Sequence, residues 1–100
     1  EAVDSDEFIA LEWARIPHFY RAFYVYQYAT GFSCAITIAN NILKEGKPAV
    51  DAYKQFLKSG GSDYPLEELK IAGVDLVSGA PVDICMKEFK SALDELKQLF

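Results

Sequence analysis

Between Arg21 and Lys44 the chain carries no charged residue, an uninterrupted run of 22 positions from Ala22 to Leu43. Coiled as a helix, such a run would extend about 33 Å, long enough to cross a bilayer. Its body nevertheless holds Gln27, Thr30, Ser33, Thr37, Asn40 and Asn41, and it places tyrosines where an interfacial belt would not put them. Polar groups at membrane depth are expensive, so the pattern predicts a helix apolar nearly all round and buried inside a larger protein. The rest of the chain also reads as helical. A short first helix is expected over Phe8 to Arg15, and Ile16-Pro17 acts as a hinge, because the residue before a proline is pushed out of the α region. The aromatic helix should then run from Phe19 to Lys44 and stop at Gly46, in a left-handed cap. Pro48 suits the first turn of a third helix, along which Ala49, Ala52, Tyr53, Phe56 and Leu57 recur at helical spacing until "SGGSDYP". A short "PLEELKIAG" helix closes at Gly73, "VDLVSGAP" is a connector, and a last helix carries Val82, Cys85, Phe89, Ala92, Leu96 and Leu99 along one face. The prediction is an all-α chain of about five helices, with no strands and no repeats.

Composition fits one folded unit, with 51% hydrophobic and 25% charged residues in 100 positions. The net charge of −5 and the scatter of the ten Lys and Arg leave no basic stripe for phosphates, so nucleic acid is not an expected partner. Cys34 and Cys85 lie far apart, with no neighbouring Cys or His, which excludes a zinc-knuckle spacing and a disulfide framework. Free buried thiols in a cytoplasmic protein are the expectation, and one bridge remains open. The opening "EAVDSDEF" is acidic and contains neither the basic nor the apolar region of a secretory signal. The absence of an initial Met fits either processing or a piece of a longer chain. Size is the difficulty. A unit this small buries only about two thirds of its surface and needs helices with a polar outer face, which the central helix lacks.

Of the motifs that carry chemistry, HExxH, the nucleophile elbow, the phosphate loop and CxxC are all absent, and a single histidine cannot supply a paired-imidazole metal site. The stretch "RIPHFYRAFYVYQYATG" sets that histidine, His18, immediately before six aromatic rings in ten positions, from Phe19 to Tyr28. On a helix, Tyr20, Tyr24 and Tyr28 would share one face. Phenols and an imidazole are neutral donors that can be aimed at an oxygen on which negative charge develops. Each tyrosine taken alone is as readily a packing residue whose hydroxyl finds a backbone carbonyl.

The stretch "WARIPHFYRAFYVYQYATG", Trp13 to Gly31, together with "FLKSGGSDYPLEELKIAGVDL", Phe56 to Leu76, resembles the C-terminal region of the oligoendopeptidase F family. These are zinc metallopeptidases related to the thimet oligopeptidases. The second stretch matches the family pattern FL-x-x-GGS-x-x-P-x-x-x-L-x-x-AG-x-D, and the likeness covers nearly the whole chain. The resemblance implies a helical shell around a deep channel, cutting short peptides in the cytoplasm. Its zinc would be held by HExxH and a further glutamate upstream, with no metal ligand in this chain. It also implies that a histidine and tyrosines of this region stabilise the tetrahedral intermediate. Carried onto this sequence, the catalytic candidates are His18, Tyr20 and Tyr24, and the substrate-binding candidates are Tyr26 and Tyr28. Spacing alone leaves open which phenol is the donor. The implied partners are the peptide substrate and the remainder of the peptidase domain, and the apolar helix would let the isolated segment pair with a second copy. Two other readings compete: a stand-alone helical binding module, prompted by the incomplete active site, and a membrane-associated helical protein, prompted by the uncharged run.

Overall fold

Prolines and positive-φ glycines punctuate the fold. The computed structural model describes residues 6–99, so the first five positions of the acidic opening stretch lie outside the described residues. Asp6 caps a 3-10 segment, Glu7–Arg15, by accepting a hydrogen bond from the Phe8 N–H at 2.9 Å. Ile16 is extended, as its place before proline requires, and a second 3-10 segment follows over Pro17–Tyr20. Four α-helices complete the described chain: α1, Tyr26–Glu45; α2, Lys47–Ser59; α3, Pro65–Ile71; and α4, Ala80–Gln98. Each predicted helix thus has a helical counterpart. The connector adds a 3-10 turn, Leu76–Ser78, started by Asp75 accepting from the Val77 N–H at 3.0 Å. No strand occurs among the described residues.

The aromatic helix departs from its predicted course. It begins at Tyr26 and not at Phe19, because Arg21 to Val25 form a turn in which Phe23 has φ of 56°. A bulky residue in the left-handed region is incompatible with a continuing helix. The sequence favours the break: Phe, Tyr and Val are middling helix formers, and no Ser, Thr, Asp or Asn stands there to cap an earlier start. Gln27 supports the turn by donating from Nε2 to the Phe23 carbonyl at 3.4 Å. At the other end, Gly46 adopts φ of 69° and returns its N–H to the Ile42 carbonyl at 2.9 Å, ending α1 where predicted.

Helix α1 is the spine. It packs against α4 on one side and α2 on another, and α3 packs against α2. Some of the polar residues that argue against a membrane span bond back to carbonyls of α1 itself, whereas Asn40 Nδ2 donates to Glu88 Oε1 of α4 at 2.9 Å. Ser33 Oγ donates to the Ala29 carbonyl at 2.8 Å, and Thr37 Oγ1 donates to the Ser33 carbonyl at 2.9 Å. Both side chains are buried, as is Cys34, whereas Cys85 on α4 is half-buried and both thiols are free. No helix of the described residues is long and apolar enough to cross a membrane.

The packing leaves much of the apolar surface open. Among the described residues the buried hydrophobic side chains are Cys34, Ala72 and Val74. The radius of gyration is 18.0 Å, against about 13 Å for an ordinary globular domain of this length. On α4 the predicted apolar face is present but uncovered, with Phe89 62% and Leu96 51% exposed. A groove of about 580 Å³ runs along α1, lined by Cys34, Ile38 and Ile42 with Tyr53 and Phe56 of α2.

Candidate active-site segment

The turn at Arg21 to Val25 folds the aromatic stretch so that residues from three local elements meet. His18 comes from the second 3-10 segment, Tyr24 from the turn and Tyr28 from the first turn of α1. The imidazole of His18 stacks on the Tyr24 ring, with centroids 5.4 Å apart and planes 30° from parallel. Tyr24 meets Tyr28 edge to face at 5.7 Å, and their hydroxyls share a hydrogen bond of 3.1 Å. That bond pushes the Tyr28 phenol above its ordinary pKa. The nearness of a second ionisable phenol and slight desolvation act in the same direction. A cleft of about 130 Å³ is lined by Pro17, His18, Arg21 and Tyr24, and His18 also borders a wider groove with Phe19, Val25 and Tyr28.

The other two candidates stand apart from this cluster. Tyr20 donates its hydroxyl to the Ala14 carbonyl, tying the second 3-10 segment back to the first. Tyr26 opens α1 with its ring exposed, and its carbonyl accepts from Thr30 Oγ1 at 3.3 Å. The helix-face grouping of Tyr20 with Tyr24 and Tyr28 therefore does not form, since the bend and turn at residues 21 to 25 separate Tyr20 from α1. Arg21 was not among the predicted site residues, yet its guanidinium lies over the Tyr24 ring, 5.6 Å from the centroid. Its position inside the aromatic stretch was the available signal. Burial pushes the Cys34 thiol up, which keeps it protonated and unreactive at neutral pH.

The second quoted stretch builds a different feature. Glu68 of α3 is buried, and its Oε1 accepts from the Gly61 N–H at 3.0 Å, the Asp63 N–H at 3.2 Å and Ser62 Oγ at 3.5 Å. The Gly-Gly-Ser-Asp loop is thereby wrapped around one carboxylate oxygen, linking the end of α2 to α3. This network was not read from the sequence, where Glu68 looks like one of several surface acids.

The profile of Peptidase family M3 matches residues 2–88. The chain belongs to that family. It is 56% identical over 94 residues to Oligopeptidase PepF of Bacillus subtilis (strain 168), a match covering 94% of this chain and 14% of that protein. It is 50% identical to the Oligoendopeptidase F homolog of Borreliella burgdorferi over 95% of this chain and 16% of that protein. With Group B oligopeptidase PepB of Streptococcus agalactiae serotype III it shares 45% identity, over 96% of this chain and 16% of that protein. The chain thus spans about one seventh of the length of these family M3 relatives. No solved structure matches it. Among the described residues no three His, Cys, Asp or Glu side chains converge on one point.

Proposed function

We propose that this chain is a helical segment of a zinc-dependent oligoendopeptidase that hydrolyses short peptides in the cytoplasm, and that it supplies donors to the reacting carbonyl. The family and the names of its relatives support a peptidase that acts on oligopeptides. Zinc, in this reading, is held by residues outside the segment, and no step assigned here passes through it. Free Cys34 and Cys85 accord with a reducing compartment. The remainder of the peptidase domain covers the open faces of α1 and α4. An isolated segment would cover them by pairing with a second copy.

The observation that carries the catalytic part is the linked His18–Tyr24–Tyr28 set. With Tyr28 donating to Tyr24 across the 3.1 Å contact, the Tyr24 hydroxyl is left to donate to an outside acceptor. Tyr24 and His18 then present two donors lining the same cleft, suited to an oxygen gaining negative charge in the transition state. Tyr28 orients Tyr24, and Tyr26 contributes to the channel wall that contacts the peptide. Tyr20, with its proton engaged by Ala14, is the weaker catalytic candidate.

Single Tyr→Phe variants of the full-length peptidase test this order. Tyr24→Phe should lower kcat by about 100-fold or more, the usual cost of one such donor. Tyr20→Phe should leave kcat within about threefold, well below such a cost. Equal, small effects at both positions would contradict the assignment. The stand-alone binding module has no observation in its favour beyond the incomplete site.

A further inference from the structure

Arg21 stands out electrostatically. The chain has two arginines, and the other, Arg15, is paired with Glu12 in the first 3-10 segment. Among the described residues Arg21 makes no ion pair, although the chain has five more acidic than basic side chains. From Arg21 onward, the 22 uncharged positions bring no carboxylate along α1 to meet it until the helix nears its end. Its guanidinium is instead laid over the Tyr24 ring at 5.6 Å. A contact to an aromatic face orients the planar group while leaving its edge N–H donors free for a second partner. Arg21 lines the cleft of about 130 Å³ together with Pro17, His18 and Tyr24.

A cation laid on an aromatic face, with no ion pair among the described residues and beside a small opening lined by an imidazole and a phenol, has the chemistry of a carboxylate site. Guanidinium binds carboxylate through two parallel charge-assisted hydrogen bonds, a geometry that Lys cannot reproduce. We propose that Arg21 determines substrate specificity by holding a carboxylate of the peptide substrate, supplied by its C-terminus or by an acidic side chain. The inference rests on the peptidase reading above. It adds that substrates are selected partly by where they carry a negative charge relative to the bond cut next to His18. The carboxylate contact and the reacting carbonyl are then neighbours in the channel, because His18 borders both the cleft and the wider groove.

The test uses the full-length peptidase and two matched peptide pairs: one neutral peptide as free acid and as C-terminal amide, and the amide with Glu or Gln scanned along the positions flanking the cleavage site. In the parent enzyme, kcat/KM should favour the charged member of one pair by roughly 10- to 100-fold, the range of a hydrogen bond to a charged group. Preference in the first pair assigns the C-terminus, and preference in the second assigns the side chain. In Arg21→Gln that ratio should collapse toward one whatever happens to the absolute rates, and Arg21→Lys should retain only part of it. Parent ratios within about twofold of one, far below the effect of such a bond, would overturn the proposal without any variant. So would a ratio that persists in Arg21→Gln. A parent that cleaves none of the peptides would bring down the peptidase reading and this proposal together, whereas an active parent indifferent to charge removes only the role of Arg21.

Discussion

The phenol pair sets the character of the candidate site at the scale of single residues. Tyr28 is largely solvent-exposed, so its bond to Tyr24 adds little to stability. The bond's main effect is on protonation. Folding raises the Tyr28 pKa, so the neutral phenol is favoured in the folded state. Any stabilisation is complete below the unfolded tyrosine value and is lost as pH rises through the higher folded one. Tyr24→Phe removes the first and largest cause of that shift. Tyr28 should then titrate at lower pH, toward an ordinary phenol, when its phenolate absorbance is isolated by difference against a Tyr28→Phe variant. An unmoved midpoint would mean that the hydroxyls are not bonded in solution. The His18 ring stacks on the Tyr24 ring, which places the phenol pair beside the imidazole.

The elements around that cluster are held by short-range devices, of which the Glu68 network is the most concentrated. Glu68→Ala would leave the Gly61 and Asp63 N–H groups without their acceptor in a part-buried loop, a loss of about 1–3 kcal/mol. A lowered denaturation midpoint and faster hydrogen exchange at those two amides should result, with Glu68→Gln milder because it keeps an oxygen acceptor. Normal protection at both amides in Glu68→Ala would contradict the role. The exposed ion pairs Lys47–Asp51 and Lys90–Asp94 are i,i+4 contacts that contribute far less. Much of this architecture was legible in the sequence. Pro48, Pro65 and Pro81 stand in first helical turns, Gly46 ends α1, and no helix of the described residues is long and apolar enough to cross a membrane. The start of α1 was not legible. Apolar periodicity continues through Phe19 to Val25 whether or not the backbone is helical, and only the dihedral of Phe23 reveals the break. Tyr24 and Tyr28 still meet because they lie on either side of the helix start, whereas Tyr20, beyond the turn, bonds to Ala14. The Glu68 network depends on a loop turning back over α3, which no residue spacing encodes.

At the scale of the whole molecule, the long radius of gyration and the open apolar faces make this chain a poor independent folding unit. Produced alone, it should self-associate with rising concentration through the α1 groove and the α4 face carrying Phe89 and Leu96. Sedimentation velocity would detect this as a concentration-dependent increase in mass. A compact monomer throughout would argue that the helices close on themselves in solution. On the proposed reading, the rest of the full-length peptidase would occupy the same faces and the His18–Tyr24–Tyr28 set would be presented to substrate from a supported wall. The decisive role in the proposed function is that of His18 as a donor to the transition state. The direct measurement is kcat of His18→Ala per mole of folded, metal-loaded enzyme. A donor's loss predicts a fall of about 100- to 1,000-fold with a much smaller change in KM, because the interaction exists mainly in the transition state. A variant within about threefold of the parent by that measure, with only its thermal stability reduced, would contradict the catalytic role and leave His18 as a packing residue.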